Sequence, residues 1–503
     1  MKKIVKIFCS NIFLFVLLFA IMLFFLFHFI YDFKNYFLFI YLFFLVLNFI
    51  FVIYILNKRQ DPGYHISWLI LILSFPGIGL FIYLFLNFPL ITNQTKKKLK
   101  ILKQQTKQYL ISENPIKDDS DSPYINYMYH YGSFPIYQNT TTTYFNDGTI
   151  FFNDLIRELR KAKKTIFLEF YIIKNSYMWN QILAVLKEKV KENVEVRVLY
   201  DGMCSICLLP NNYPKKLRKL GIKCQIFSPI INIISTYQNH RDHRKLCIID
   251  GMIAYTGGIN LGDEYIHIKN RYGYWKDSAI KIKGEAVKTF TCTFLEMWNL
   301  SSKQIENFSK YLPNIYTNRR EEGYVLPYVD DPFSHERISK NTYLHIIHTS
   351  KKYIHIITPY LVLDNELLNQ LTYAAKRGIH IQIIMPHIPD KKFVYYLGRS
   401  YYEELLMAGI EIYEYLPGFT HAKILTSDSE KAVVGSTNLD YRSLYLQYES
   451  NIYLYQNPVI TKIEEDFQNT KKECQKITIE DIKHYSIIKR LIGKILRLFS
   501  PLL

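Results

Sequence analysis

Residues 243–250 read HRKLCIID and residues 421–428 read HAKILTSD. Both follow the pattern HxK(x4)D, and the second lies 178 residues after the first. The same offset relates two further positions downstream of each motif. The matched pairs are His243 and His421, Lys245 and Lys423, Asp250 and Asp428, Gly257 and Gly435, and Asn260 and Asn438. One such motif can arise by chance, but two in the same register indicate that the chain contains one plan twice.

The segments upstream of each motif repeat in the same order. Runs rich in β-branched and aromatic residues, typical of strands, alternate with stretches of helical period such as 155–160 and 367–377. The corresponding runs are 163–169 and 351–357, 194–200 and 379–385, and 221–229 and 409–417. Strands that alternate with helices indicate α/β units with mixed or parallel sheets. We therefore predict an α/β protein with two pseudo-symmetric halves, 135–318 and 319–476, each a mixed sheet flanked by helices, that pack face to face.

The residues that follow the lysine in each motif are apolar or small, which predicts a strand. Because side chains alternate along a strand, the His and Lys of each motif then lie on one face. Lysine would stabilise the charge of a phosphodiester transition state, while histidine attacks phosphorus or protonates the leaving oxygen. We predict that the His and Lys of both motifs are catalytic. Asn260 and Asn438 are predicted to bind phosphate oxygens, and the motif glycines to allow close approach of the ligand.

Two facing half-sites would place a nucleophile and an acid on opposite sides of one phosphorus. The reaction would then proceed through a covalent intermediate on histidine. A carboxylate beside each imidazole would fix its tautomer, and Asp277 and Glu449 are the candidates. Asp250 and Asp428 admit two interpretations: a direct part in catalysis, or a structural role at the end of a strand.

Three long apolar segments open the chain. Asn11 to Tyr31 and Tyr36 to Leu56 each have about the 20 residues that a transmembrane helix needs. The third, Ile66 to Leu86, is interrupted by FPGIG at 75–79 and has basic residues on both sides. A re-entrant hairpin bent at Pro76 is therefore favoured over a third crossing. We predict a membrane anchor over 1–91, with the rest of the chain on the cytoplasmic side unless the third segment crosses.

The remaining segments are polar or basic. Residues 92–134 turn polar and are predicted to be a solvated linker. Residues 477–503 are predicted to form a basic amphipathic helix, because apolar residues in 487–499 recur at helical spacing. That helix either lies on anionic lipid or docks on the catalytic halves. With a formal net charge of +18 and 49% hydrophobic residues, the chain is expected to seek polyanions and to lie partly in lipid.

These motifs resemble the phospholipase D superfamily with its twin HKD motifs, and within it the bacterial cardiolipin synthase family. The resemblance covers nearly the whole chain. It is carried by GGINLGDEY at 257–265, GSTNLDYRS at 435–443, LEFYI at 168–172, TPY at 358–360 and FPGIG at 75–79, in addition to the two motifs. It implies two phospholipase D-like halves and conversion of two phosphatidylglycerols to cardiolipin and glycerol through a phosphohistidine.

The same resemblance implies that no metal or other cofactor takes part. It assigns His243 as nucleophile and His421 as general acid and base, although the symmetry of the halves leaves this order open. The implied partners are phosphatidylglycerol and anionic membrane lipid, with no nucleic acid, at a bacterial cell membrane. One residue departs from the family: Asp242 stands where Asn is frequent. A carboxylate there would favour the imidazolium form of His243 and oppose a phosphate anion.

Three other functions fit part of this pattern. The same catalytic groups serve a phosphatidylserine synthase or a hydrolytic phospholipase D, because the acceptor alone distinguishes them. A nuclease also combines basic charge with paired HKD motifs, but it has no need of long apolar segments. A lipid-binding scaffold without catalysis would have no reason to keep both motifs intact.

Overall fold

In a computed structural model of the chain, the described residues are 37–58, 60–87, 90–111, 121–203, 208–228, 240–302, 306–313 and 321–502. The chain divides into two units. The first comprises residues 1–90 with 230–239 and 502, and the second comprises 91–229, 240–501 and 503. Both HxK(x4)D motifs lie in the second unit.

The described residues of the first unit form three apolar helices. They are α1 (Phe37–Leu56), α2 (Pro62–Ser74) and α3 (Ile78–Leu86). The start of α2 is fixed by the Asp61 carboxylate, which accepts a hydrogen bond from the Gly63 amide at 2.8 Å. Trp68 and Tyr83 meet edge to face, with their ring centroids 5.0 Å apart. Together with Ile55 and Ile72 these two rings form a small core.

The third apolar segment bends where the sequence predicted. Its helices α2 and α3 are separated at Pro76 and Gly77, and Gly77 has a φ of 80°. A Cβ on Gly79 would lie 2.3 Å from the Leu71 carbonyl oxygen, so only glycine permits this close turn. Within the described ranges, no helix qualifies as a membrane span, and the transmembrane helix predicted for Tyr36 to Leu56 is therefore not confirmed. The span predicted for Asn11 to Tyr31 lies outside the described residues.

The second unit begins with the first of the two repeated halves. Its helices and strands are α4 (Leu90–Lys107), α5 (Ser122–Tyr127), a π-helical turn (Met128–Gly132), β1 (Thr140–Phe145), α6 (Gly148–Lys161), β2 (Thr165–Phe170), α7 (Tyr177–Lys191), β3 (Glu195–Asp201), α8 (Tyr213–Lys219), β4 (Lys223–Phe227), β5 (Lys245–Ile249), β6 (Ile253–Gly257), β7 (Tyr274–Lys276), β8 (Ala279–Gly284), α9 (Val287–Ser301) and a 3₁₀ turn (Ser309–Tyr311).

The second half follows with a matching set. Its elements are β9 (Tyr324–Asp330), α10 (Ile338–Thr349), β10 (Tyr353–Ile357), α11 (Asn365–Lys376), β11 (His380–Pro386), α12 (Lys392–Arg399), α13 (Tyr402–Met407), β12 (Glu411–Tyr415), β13 (Gly418–Thr420), β14 (Ile424–Ser427), β15 (Lys431–Gly435), α14 (Tyr441–Tyr445), β16 (Glu449–Tyr455), α15 (Val459–Lys472), β17 (Cys474–Ile477), α16 (Ile479–His484), α17 (Ile487–Leu498) and a 3₁₀ turn (Ser500–Leu502).

The two sheets confirm the predicted duplication. The first has the strand order β1-β8-β6-β5-β2-β3-β4, and the second, taken from its β9 edge, has β9-β16-β15-β14-β10-β11-β12-β17. The second sheet therefore repeats the first strand for strand and adds β17. In both sheets the central pair is antiparallel, β2 with β5 and β10 with β14, while β2-β3-β4 and β10-β11-β12 are parallel. Each is the mixed sheet that the alternation of strands and helices predicted.

The halves are joined at the middle of the unit. Strand β7 of the first half pairs in parallel with β13 of the second, with Trp275 opposite Phe419. On β6, Thr256 makes a hydroxyl–hydroxyl hydrogen bond of 2.9 Å with Ser450 of β16. The strands that follow each motif thus approach each other across the junction.

The segment predicted to be a solvated linker is largely a packed helix. Helix α4 buries Leu99, Leu102 and Thr106. The Lys98 ammonium donates to the carbonyls of Leu300 at 3.1 Å and Ser302 at 2.6 Å. Lys103 forms a 2.5 Å ion pair with Asp331, whose pKa lies well below its ordinary value because Lys103, Ser334 and a backbone amide outweigh its burial. Two lysines of this helix therefore meet carbonyl and carboxylate groups, while Lys96, Lys97 and Lys100 remain exposed.

Candidate active site

Each motif histidine is held in place by backbone of the opposite half. His243 precedes β5, and its amide donates to the Tyr448 carbonyl at 3.0 Å. His421 precedes β14, and its amide donates to the Lys276 carbonyl at 2.6 Å. Tyr448 and Lys276 are the residues directly before Glu449 and Asp277, so each histidine segment lies beside a carboxylate segment of the other half.

The side chains are paired in the same crossed way, since each motif histidine contacts a carboxylate of the other half. The His243 Nδ1 lies 3.0 Å from Glu449 Oε1 and 3.1 Å from Oε2. The His421 Nδ1 lies 2.7 Å from Asp277 Oδ2. All four side chains are buried. With Nδ1 hydrogen-bonded to a carboxylate, each ring presents Nε2 as its reactive nitrogen. The structure thus brings both candidate orienting carboxylates to the motif histidines, each supplied by the other half.

The motif lysines lie beside the histidines, as alternation along a strand predicts. The Lys245 ammonium donates to the His243 carbonyl at 2.5 Å, and the Lys423 ammonium donates to the His421 carbonyl. Lys245 also stands 5.6 Å over the ring of Tyr171. Within the described ranges, no group of three or more His, Cys, Asp or Glu side chains is arranged to hold a metal ion.

The two imidazoles share one electrostatic environment. Burial lowers the pKa of His243 well below its ordinary value, and the charges of Lys245, Lys423, Lys391 and Arg442 lower it further. Burial and Lys423 lower the pKa of His421 to about 4, although Asp277 opposes this shift. Each ring therefore responds to the lysine of the other motif, and both are neutral at neutral pH when no substrate is bound.

The pKa values of the two motif lysines are also lowered. Burial lowers the pKa of Lys245 to about 7 and that of Lys423 to about 8, although Glu449 and Asp277 partly restore the charged form. A site that places two ammonium groups out of water in this way favours an anion between them, because the anion offsets the cost of keeping both charged.

The carboxylates of the two half-sites are supported differently. Both Ser436 and Ser443 donate their hydroxyls to Glu449, whose pKa burial raises to about 8. Asp277 accepts a hydrogen bond of 2.8 Å from the Ser278 amide instead. At the positions that match Ser436 and Ser443 by the offset of 178, the first half has Gly258 and Tyr265.

The glycines of the motifs serve protein packing rather than ligand access. A Cβ on Gly258 would lie 2.0 Å from Asp277 Oδ1 and 3.0 Å from the His421 carbonyl oxygen. A Cβ on Gly435 would lie 2.1 Å from Asn451 Oδ1. The prediction that these glycines make room for a ligand is therefore wrong: they make room for Asp277 and for β16.

The two motif asparagines differ in their contacts. Asn260 Oδ1 accepts a 3.0 Å hydrogen bond from the Ile172 amide, and its Nδ2 donates to the Tyr265 hydroxyl at 2.9 Å. Asn438 is buried, and its Oδ1 has no hydrogen-bond partner among the described residues. Asn260 therefore braces the loop after β2, whereas the carboxamide of Asn438 is less constrained.

Asp250 and Asp428 lie at the far ends of the motif strands. The Asp250 carboxylate accepts hydrogen bonds of 2.7–2.8 Å from the amides of residues 163–165. Asp428 accepts bonds of 2.7–2.9 Å from the amides of residues 351–353. Seven residues of extended chain place each of these carboxylates roughly 20 Å from its motif histidine. Of the two interpretations, the catalytic one is therefore corrected and the structural one fits: both residues anchor the start of the neighbouring strand.

Asp242 does not oppose a phosphate anion in the way the sequence suggested. Adjacent residues of an extended segment point to opposite sides, so its side chain is directed away from that of His243. The Asp242 carboxyl accepts from the Arg244 amide at 3.4 Å, and burial raises its pKa. The residue charges that most affect His243 are the cations given above.

Several residues around the histidines were not assigned from the sequence. The Tyr171 ring lies 4.9 Å from the His243 ring, and the Tyr265 ring lies 5.9 Å from that of His421. Lys391 and Arg442 act on His243 through their charge. The repeat offset matches Ser436 with Gly258 and Ser443 with Tyr265. It does not predict that the two serines contact a carboxylate.

Comparisons with known proteins agree with this geometry. Residues 155–298 and 343–471 match the family of the cardiolipin synthase phospholipase D-like domain, and residues 46–86 match the phospholipase D–nuclease N-terminal family. The chain is 43% identical to an uncharacterized protein of Streptococcus mutans over 458 residues, which is 90% of this chain and 99% of that one.

One further sequence relative and one solved structure also resemble this chain. The chain is 34% identical to a cardiolipin synthase of Geobacillus sp., over 90% of this chain and 92% of that one. A crystal structure of phosphatidylserine synthase from Haemophilus influenzae superposes with a TM-score of 0.58 at 15% identity, covering 75% of this chain and 97% of that one. At this low identity the superposition supports the fold alone. The matched sequences and the duplicated HKD site together place this chain in the cardiolipin synthase family of the phospholipase D superfamily.

Proposed function

We propose that the protein is a cardiolipin synthase, a phosphatidyltransferase that converts two phosphatidylglycerols into cardiolipin and glycerol. The observation that carries this proposal is the pair of buried His–carboxylate contacts, exchanged between the halves and flanked by two buried lysines. A membrane phospholipid with one phosphodiester supplies the single negative charge that such a site favours.

In the first step, Nε2 of His243 attacks the phosphorus of the first phosphatidylglycerol. The bond from phosphorus to the glycerol oxygen breaks. His421, which takes up a proton from solvent when the anionic phosphodiester binds, donates that proton from Nε2 to the oxygen, so glycerol leaves as a neutral alcohol. The two lysines stabilise the charge that develops on the phosphate oxygens. The phosphatidyl group is then held on His243 as a phosphohistidine.

In the second step, a second phosphatidylglycerol takes the place of glycerol. His421, now neutral, accepts the proton of its terminal hydroxyl, and the hydroxyl oxygen attacks phosphorus. The bond between phosphorus and His243 breaks, which releases cardiolipin and restores both imidazoles. Dividing one displacement into two in this way is the usual benefit of a covalent intermediate.

The difference between the half-sites supports this order of roles. His243 is surrounded by four cationic residues that disfavour its protonated form, as suits a nucleophile. His421 is held by Asp277, whose charge and hydrogen bond favour protonation, as suits an acid and base. We propose that Asn438 donates its amide to a phosphate oxygen. Asn260 would donate the amide hydrogen that is not used in its bond to Tyr265.

The proposed site of the reaction is the cytoplasmic face of a bacterial membrane. The substrate is a lipid, the chain carries a formal net charge of +18, and the described part of α1 exposes a series of large apolar side chains. Large exposed apolar surfaces of this kind are associated with lipid or protein contact. Residues 1–91 are proposed to anchor the catalytic unit there.

The test is to supply the purified full-length protein with phosphatidylglycerol as the only lipid. We expect cardiolipin and glycerol to appear in equal amounts. The His421→Ala variant, checked for folding by circular dichroism, is expected to give neither product. Phosphatidic acid in place of cardiolipin would contradict the proposal and establish a hydrolase, and a product formed only after serine is added would establish a phosphatidylserine synthase.

A further inference from the structure

The C-terminal helix α17 packs on α12 through glycine and arginine rather than through an apolar face. Gly493 is buried, and a Cβ there would lie 2.4 Å from the Tyr396 carbonyl oxygen. A glycine in mid-helix costs about 1 kcal/mol relative to alanine. This close approach therefore depends on the missing side chain. The ion pairs on the same face are Arg490 with Glu403 at 3.5 Å and Arg497 with Glu404 at 3.1 Å.

The opposite side of α17 is an exposed apolar stripe. Its members and their exposed fractions are Ile487 at 80%, Ile488 at 71%, Leu491 at 58%, Ile495 at 49% and Leu498 at 48%. At 3.6 residues per turn these positions occupy about 100° of the helix circumference, which makes the stripe continuous. The two interpretations of this helix are therefore compatible, because docking through one face leaves the other free to meet a partner.

Basic and aromatic groups lie on the sides of α17 outside the stripe. Lys494 is exposed beside the stripe, whereas Lys489 is exposed nearer Gly493 and lies 5.6 Å over the Tyr485 ring. A small cleft lies between α17 and the helices beneath it, and its lining includes Arg399, Arg490 and Lys494. Tyrosines and cations beside an apolar strip match the layered chemistry of a membrane interface, where acyl chains give way to phosphate headgroups.

We propose that α17 is a lipid-docking surface whose apolar stripe inserts among the acyl chains of an anionic bilayer, while the neighbouring cations contact headgroup phosphates. The proposal deepens the proposed function and rests on it for the identity of the lipid. A protein partner fits less well. A stable protein interface buries roughly 800 Å² on each partner, and one stripe on a helix of 12 residues offers a much smaller area. Charged residues are also depleted at the centre of such interfaces.

The docking surface is connected to the active site. Helix α12, on which α17 rests, begins directly after Lys391, whose charge acts on His243. In the first turn of α12, Phe393 is 67% exposed. A bilayer that binds α17 would therefore hold the start of α12, and with it one side of the reaction centre, near the source of substrate.

The occupant of the stripe can be identified by photocrosslinking. We would place p-benzoylphenylalanine at Leu491 of the full-length protein, in phosphatidylcholine vesicles with and without phosphatidylglycerol. Ile150 on α6, which is 56% exposed, serves as the matched control position. A phospholipid adduct at residue 491 but not at 150, increased by phosphatidylglycerol, is the expected result. Adducts to a second copy of the chain or to its own N-terminal segments, or equal lipid labelling at both positions, would overturn the proposal.

The adduct does not require turnover, so the same result is expected in His421→Ala protein. Failure of the proposed reaction and failure of the docking surface can therefore be told apart. For function, the triple variant I488S/L491S/I495S is expected to raise the KM for phosphatidylglycerol in vesicles by about tenfold while kcat stays within about twofold, since only interfacial binding is lost. Ile150→Ser is the control. An unchanged KM in the triple variant would contradict the docking role.

Discussion

The two half-sites differ most where the motifs themselves are identical. His243 and His421 occupy equivalent positions, yet the first pairs with a glutamate that two serine hydroxyls support, and the second pairs with an aspartate approached by a glycine. Glu449 follows Asp277 by 172 residues rather than 178, so the carboxylates are not in the register of the repeat. The comparison shows that the two motifs have the same reacting histidines, whereas the carboxylates that contact them and the neighbours of those carboxylates differ.

The largest expected effect comes from replacing each histidine in turn and comparing how the activity of the two variants depends on the leaving group. His243→Ala and His421→Ala should each lower transfer between phosphatidylglycerols by at least about 10⁴-fold, because one loses the nucleophile and the other the acid. With a phosphatidyl-p-nitrophenol donor, which needs no acid, only His421→Ala should regain the first step and accumulate a phosphohistidine. Mass spectrometry of peptides should locate it at residue 243. A phosphohistidine at residue 421 in His243→Ala protein would reverse the roles.

The next effect concerns the serines that support Glu449. Ser443→Ala should lower kcat by about 10- to 100-fold, because it leaves an oxygen of the buried Glu449 without its hydroxyl donor, and an unsatisfied buried polar group costs about 1–3 kcal/mol. Tyr265→Phe is the matched control in the other half, since its hydroxyl contacts Asn260 rather than a carboxylate. It should cost less than about threefold. Steady-state kinetics that give both variants the same loss would remove the difference between the half-sites.

A smaller effect should appear in the pH dependence of kcat/KM, which reports the free enzyme. The charged lysines bind phosphate, and their pKa values of about 7 for Lys245 and about 8 for Lys423 mean that this charge is lost as pH rises. Activity should therefore fall on the alkaline side, beginning with Lys245. Lys245→Arg should move the start of this fall upward by about one pH unit, because a guanidinium stays protonated. Lys423→Arg should leave it in place, and equal shifts in both variants would contradict the assigned order.

The smallest effect on catalysis is expected at the strand ends, where the halves are alike. Asp250→Asn and Asp428→Asn should each lower the free energy of unfolding by about 1–2 kcal/mol, since each weakens a set of three backbone hydrogen bonds. Their kcat should equal that of the wild-type protein at temperatures well below unfolding. Urea titration and kinetics on the same samples provide the check. A loss of kcat without a loss of stability would return these residues to the catalytic set.

The sequence predicted local features well and named Asp277 and Glu449 as orienting carboxylates, but it did not predict which histidine each one holds. The strands after each motif, the parallel strands upstream and the bend at Pro76 follow from short-range patterns, and the structure has all of them. The pairing of His243 with Glu449 depends on how the two sheets meet, which no periodicity encodes. Helix α4 was interpreted as solvated because its lysines are numerous, yet Lys98 and Lys103 reach carbonyl and carboxylate groups about 200 residues away.

The exchange of carboxylates has a consequence for how such a protein can arise. A chain with only one half would have its histidine without the carboxylate that holds the ring, so it could complete its chemistry only by meeting a second copy across a twofold axis. In that ancestral pair both centres would be identical by symmetry, and neither could specialise. Joining two copies in one polypeptide removes this restriction, because a substitution then alters one centre alone. The serine, glycine, glutamate and aspartate around the two imidazoles are the kind of divergence that gene fusion makes possible.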